Sequence, residues 1–137
     1  MEIEKAVLYT DGASRGNPGP AAIGVVIKDG HGKVLARISK RIGRTTNNQA
    51  EYQAVIAALE EAVRLGAAGV EIKSDSELVV KQVSGRYRVK HPALKPLYRQ
   101  VKELQSSFQN CIVASIPRRQ NREADRLCSD ALGATVD

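Results

Sequence analysis

Four carboxylates stand where packing alone would not choose an acid: Asp11, Glu51, Asp75 and Asp125. Asp11 closes the apolar run 3–10 and opens a Gly-rich segment. Glu51, in the first turn of its helix, shares a line with Val55, Leu59 and Ala62, the stripe that must face a core. Asp75 follows the run VEIKS and precedes a helix. Asp125 falls in the first turn of the last helix, in line with Cys128 and Leu132. All four therefore sit at strand ends or helix starts, the ends that converge on the ligand crevice of an open α/β sheet. Taken singly, each has an ordinary structural reading: dipole complement for Glu51 and Asp125, helix cap for Asp75, turn residue for Asp11. Clustered, they would repel and raise one another's pKa, and a divalent cation removes that penalty. An all-oxygen donor set without a His or Cys cluster points to Mg²⁺ or Mn²⁺ and away from zinc. Two such ions about 4 Å apart would suit phosphoryl transfer at a phosphodiester.

The elements that must position these acids follow from periodicity. Residues 3–10 read as a buried strand, and 12–20 (GASRGNPGP) as a turn. Residues 21–29 and 33–42 read as two strands joined at Gly30-His31-Gly32, completing an antiparallel meander. Helical spacing then takes over at Tyr52, Val55, Ile56, Leu59, Ala62 and Val63. Thr46 and Gln49 form a capping-box start, and Gly66 and Gly69 mark the end. A strand at 70–74, a short helix at 76–83 broken by Ser84-Gly85, and a helix whose start is bracketed by Pro92 and Pro96 and which runs to about Phe108 come next. A fifth strand at 111–116 leads to Asn121, read as the cap of a last helix ending near Leu132. The order βββαβααβα implies an α/β fold: a mixed five-stranded sheet, three antiparallel strands then two parallel, with helices on both faces.

Composition agrees with that architecture. The 137 residues amount to one domain, 1–137. Hydrophobic residues make up 42%, which excludes disorder for most of the chain. Aromatics are only 4%, so Val, Ile, Leu and Ala must build the core. The net charge of +6 is unevenly placed. Residues 1–80 carry ten basic and ten acidic side chains, whereas residues 81–126 carry eleven basic and three acidic. That concentration fits a nucleic-acid footprint. Two cysteines, Cys111 and Cys128, are too few for a disulfide framework and read as reduced thiols of a cytosolic protein. No signal peptide or membrane span is visible, so a cytoplasmic monomer without membrane contact is expected.

Four segments also carry a family resemblance. TDGASRGNPGP (10–20), TTNNQAEYQA (45–54), KSDSELVV (73–80) and RRQNREADRL (118–127) resemble, in order and spacing, the motifs of ribonuclease H type 1, across nearly the whole chain. The resemblance implies the ribonuclease H-like fold. It also implies a metal-dependent endoribonuclease that cleaves the RNA strand of an RNA–DNA hybrid duplex, leaving 3′-hydroxyl and 5′-phosphate ends. The family's acidic quartet falls on Asp11, Glu51, Asp75 and Asp125, which would hold two ions, Mg²⁺ or Mn²⁺. By that match Asp11 would bridge both ions. Glu51 and Asp75 would complete the shell of the ion that activates water, and Glu51 would lie near a 2′-hydroxyl. Asp125 would hold the ion that organises the nucleophile.

Substrate-binding positions follow from the same match. Asn17, Asn47 and Asn48 would read 2′-hydroxyls across the minor groove; turn and cap chemistry also suits them. Arg44 and Thr46 would form a pocket for a DNA phosphate, and Thr46 equally suits the N-cap. Gly12 and Ser76, beside two of the acids, and Arg118 and Arg119, in the loop before the fourth, complete the set. Two departures stand out. Many relatives carry a His in the loop before the last acid; here Ser115 to Asn121 holds Arg118, Arg119 and Gln120, and His31 and His91 read as surface residues. Some relatives insert a basic protrusion after the third acid; here SGRYRVKHP (84–92) takes its place, either a reduced substrate-binding edge or a solvated loop. Two alternatives stay open: a non-catalytic nucleic-acid-binding module of this fold, and a related nuclease acting on DNA.

Overall fold

The computed structural model describes residues 3–133. Among them run β1 (Ile3–Ser14), β2 (Gly19–Asp29), β3 (Val34–Thr45), α1 (Asn47–Arg64), β4 (Ala67–Ser74), α2 (Glu77–Val83), α3 (Lys95–Gln105), β5 (Asn110–Ser115) and α4 (Arg122–Leu132). The strands form one sheet in the order β3-β2-β1-β4-β5. β1 pairs antiparallel with β2, and β2 with β3; β1 and β4, and β4 and β5, are parallel. The expected mixed sheet is therefore present, with β1 at its centre.

Helices cover both faces. Asp11 opposes Gly24 and Gly12 opposes Ile23 in the β1–β2 ladder, so Gly12 and Gly24 point to opposite sides. A Cβ on Gly12 would meet the Ala50 carbonyl oxygen of α1 at 2.2 Å; one on Gly24 would meet the Ala124 carbonyl oxygen of α4 at 2.0 Å. Each glycine thus lets one helix backbone lie directly on the sheet. The main core fills the α1 side, where Leu8, Ile23, Val25 and Ile27 of the sheet meet Tyr52, Val55 and Leu59. α3 packs against α1, and Val101 joins the same core. Truncating Leu59, fully buried there, to Ala would cost about 2–5 kcal/mol. The smaller seat of α4 is made by Ala22, Val26, Ala124 and Cys128, whose Sγ donates to the Ala22 carbonyl at 3.2 Å.

Several boundaries differ from those expected. β1 continues to Ser14 and β2 begins at Gly19, so the Gly-rich run is mostly strand. Only residues 15–18 turn, with Gly16 at φ 87° and a cis Asn17–Pro18 bond. Gly12 and Gly19 serve close approach instead: a Cβ on Gly19 would strike the Arg15 carbonyl oxygen at 1.7 Å. β3 runs on to Thr45. Gly66 at φ 79° ends α1, but Gly69 lies inside β4. α3 spans Lys95–Gln105, starting after Pro92 and stopping short of Phe108, and β5 begins one residue early, at Asn110.

Candidate active site

The capping box written into the sequence is made. Thr46 Oγ1 accepts from Gln49 N at 3.2 Å, and Gln49 Oε1 accepts from Thr46 N at 3.1 Å. It fixes the start of α1 at Asn47, which makes Glu51 the fifth helical residue. Glu51 therefore lies beyond the first turn, and the dipole reading for it fails. Its side chain is 8% exposed, and Oε1 accepts the Gly12 backbone N–H at 3.1 Å.

The other acids converge on it. Asp11 sits inside β1, three residues before the strand ends, and is 7% exposed. Asp75 follows β4 at the point where β1 and β4 part, since Thr10–Ser74 is the last pair of their ladder. Carboxylate oxygens of Asp11, Glu51 and Asp75 all lie within 4.8 Å of one another. Asp125, in the first turn of α4, stands near enough for its charge to raise the Asp11 pKa. All four line one open cleft of about 640 Å³.

Crowding shows in the electrostatics. Burial, then the charges of Asp75 and Asp125, push the Asp11 carboxyl up to about 7. Burial, then Asp11 and Asp75, push Glu51 up to about 9, although the Gly12 N–H works the other way. Arg118 opposes both shifts; it lines the cleft, and its Nη2 lies 3.8 Å from Asp125 Oδ1. Three converging carboxylates, two of them with pKa raised by burial and then by their neighbours' charge, form an all-oxygen donor set that a hard divalent cation would neutralise. The residues fit such an ion.

The remaining expected residues divide into two groups. Gly12, Asn47 and Arg118 line the cleft. Asn17 stands beside Asn47, accepting its backbone N–H on Oδ1 at 2.9 Å, while Asn47 Oδ1 accepts from Ser14 N at 3.3 Å. The other five do not line it. Thr46 is engaged in the capping box, and Ser76 caps α2, accepting from Val79 N at 3.4 Å. Arg44, Asn48 and Arg119 are exposed outside the cleft. His31 and His91 are exposed, as expected.

Sequence reasoning missed two residues. Glu77 lines the cleft from the first turn of α2, with Lys81 Nζ at 3.3 Å; an acid after a cap gave no signal beyond ordinary dipole complement. Asn121 holds the N-cap position of α4 but makes no side-chain cap there. Its Nδ2 donates instead to the Thr10 carbonyl at 2.8 Å.

Away from the acids, Arg86, Tyr87, Arg88, Lys95, Tyr98 and Arg99 line a second groove. Lys81 bridges the two regions, 3.3 Å from both Glu77 Oε1 and the Tyr87 hydroxyl. No helix among the described residues is long and apolar enough to cross a membrane, which leaves β-barrels untested.

A family profile described as reverse transcriptase-like matches residues 9–131. The chain is 50% identical over 133 residues to a bifunctional protein of Mycobacterium tuberculosis, covering 96% of this chain and 36% of that protein. It is 46% identical over 124 residues to ribonuclease HI of Halobacterium salinarum, covering 90% of this chain and 62% of that protein. The chain thus spans about a third to two thirds of these relatives' length. The crystal structure of ribonuclease H1 from the same archaeon superposes with a TM-score of 0.93 at 44% identity, covering 96% of this chain and 99% of that one. LC11 ribonuclease H1, solved in complex with an RNA/DNA hybrid, gives a TM-score of 0.88 at 44% identity over 92% of this chain and 95% of that one.

Proposed function

The chain belongs to the ribonuclease HI family, and from that premise we propose that it hydrolyses the RNA strand of RNA–DNA hybrids with divalent metal ions, leaving 3′-hydroxyl and 5′-phosphate ends. The observation that carries this reading is the convergence of Asp11, Glu51 and Asp75 within 4.8 Å, with Asp125 on the same cleft. A similar protein whose structure holds an RNA/DNA hybrid supports the choice of duplex.

The four acids would hold two Mg²⁺ ions, with Mn²⁺ able to replace them. Bound there, the ions would lower the pKa of a water to make the nucleophile and neutralise charge on the phosphate. The protein's own part is positional. Asp11, buried between the charges of Asp75 and Asp125, offers the central donor. Glu51 keeps one oxygen on the Gly12 N–H, which leaves its other oxygen for the cleft. Asp125, less buried than Asp11, is the most adjustable donor. Arg118 supplies a cation on the open side, suited to a phosphate oxygen. Asn47, held by Asn17 and Ser14, would meet the minor groove, where 2′-hydroxyls distinguish RNA from DNA. Gly12 would serve by letting α1 lie against β1 and by holding Glu51 through its N–H. Arg44, Thr46, Asn48, Ser76 and Arg119 would take part only as outer contacts.

Residues 1–137 would act as one catalytic domain, as a monomer, in the cytoplasm. The basic groove of Arg86, Arg88, Lys95 and Arg99 would hold duplex phosphates. Incubating the protein with labelled RNA–DNA hybrid, double-stranded RNA and double-stranded DNA, each with Mg²⁺, Mn²⁺ or chelator, tests the reading. Cleavage of the hybrid's RNA strand, abolished by chelator, is expected. Binding without cleavage would favour a non-catalytic module, and cleavage of DNA would favour the DNA-acting alternative.

A further inference from the structure

Asn121 stands where a helix cap belongs, yet its side chain caps nothing. A cap at such a position contributes about 1 kcal/mol, so the side chain is held elsewhere by something stronger than local preference. That place is the fork of the sheet. The β1–β4 ladder ends at Thr10–Ser74, and the next residues are Asp11 and Asp75. Asn121 Nδ2 takes the Thr10 carbonyl at 2.8 Å, beside this last rung. The Asn121 carbonyl in turn accepts the Asp125 backbone N–H at 3.0 Å, closing the first turn of α4. The residue is 1% exposed, and among the described residues its Oδ1 and the Thr10 hydroxyl are buried without hydrogen-bond partners. Polar groups left so are uncommon in folded proteins.

We infer that Asn121 is a positioning residue: it bolts the first turn of α4 into the β1–β4 fork and so sets Asp125 against Asp11 and Asp75. The inference rests on the metal-dependent reading of the four acids. The neighbouring Glu123 reaches β2 and β3, through Lys28 and Arg37, and not β1. The Cys128 bond to Ala22 seats the helix one turn further on, and the Arg118–Asp125 pair is loose at 3.8 Å and exposed. Without the Asn121 amide, α4 would keep its seat on β2, but its first turn would lose its register with the fork.

The test compares Asn121→Ala with Val101→Ala, a core truncation on α3 that loses stability away from the cleft. Thermal unfolding, Mn²⁺ binding by calorimetry without substrate, and steady-state cleavage of a hybrid are measured for both and for the wild type. Asn121→Ala is expected to weaken Mn²⁺ binding and lower kcat, each by about ten-fold, with KM within about two-fold of the wild type. Val101→Ala should lose at least as much Tm while leaving Mn²⁺ affinity unchanged. Should Asn121→Ala fail to fold, Asn121→Ser reads the same quantities. If the wild type bound Mn²⁺ and the Asn121 variant matched it, the inference alone would fall. If the wild type bound no Mn²⁺, the reading of the acidic site would fall, and this inference with it.

Discussion

The backbone N–H of Gly12 donates to Oε1 of Glu51 at 3.1 Å, where strand β1 and helix α1 touch backbone to backbone. This bond joins two of the four acids, because Gly12 directly follows Asp11. It also explains how a carboxylate can be buried on the core-facing stripe of α1. The amide partly offsets the desolvation that pushes Glu51 up to about 9.

Gly12→Ala should therefore be severe. Its Cβ would lie 2.2 Å from the Ala50 carbonyl oxygen, a backbone atom that no rotamer change can move. A loss of about 3 kcal/mol is expected, by overpacking. Cleavage should fall with it, since β1 and α1 must part and separate Asp11 from Glu51. Urea unfolding and kcat measured together check this; an unchanged midpoint would show that β1 and α1 are not pressed together at Gly12.

Asp11→Asn should abolish cleavage, by at least about a thousandfold, while the fold survives. It removes a donor from the cluster and also a charge from a repelling group. Without metal, the variant should be more stable than the wild type above pH 7. Full activity in this variant would overturn the metal site.

The metal-free protein should lose stability as pH rises. Asp11 and Glu51 have folded pKa values near 7 and 9, above their ordinary 3.8 and 4.5. The folded state thus binds more protons than the unfolded one between those values, so the slope of stability against pH is negative there. The contribution is intact below about pH 4, declines above it, and is gone once the pH passes about 7 for Asp11 and about 9 for Glu51. Urea midpoints taken in chelator from pH 5 to 9 should decline, and saturating Mg²⁺ should flatten the curve. A midpoint that climbs over this range would contradict the crowding of the acids.

Hybrid binding should weaken steeply with salt, because lysines and arginines that neutralise phosphates release counterions. Replacing Arg88 and Arg99 with Ala should weaken binding in a sequence-independent way. It should also reduce the slope of log K against log salt by about one for each phosphate left without its arginine. Slopes identical to the wild type would exclude the groove they line from the duplex footprint.

Much of this arrangement could be read from residues alone, and two of the misreadings share one cause, a partner distant in sequence. The Thr46–Gln49 box was legible because both partners are local, three residues apart. The acidic quartet was legible because carboxylates on apolar patterns break a rule that packing otherwise obeys. The Gly-rich run after Asp11 was misread as a turn because glycine serves two ends, positive φ and close approach; only distant Ala50 decides which at Gly12. Asn121 was misread as a cap because its competing partner, Thr10, lies 111 positions away. Glu51 was placed one turn early although its cap had been found, and with the dipole reading gone its burial is left to the Gly12 bond and the cluster.

The sheet order has a consequence for how the acidic site comes into being. β1 occupies the middle of the sheet, but one neighbour follows it immediately and the other only after two more strands and a helix. Asp11 is thus made early, Asp75 much later, and Asp125 on the last helix among the described residues. A ribosome-bound chain can complete the hairpins and α1 while still lacking half of its acids. The set of four acids is therefore complete only once α4 has been made.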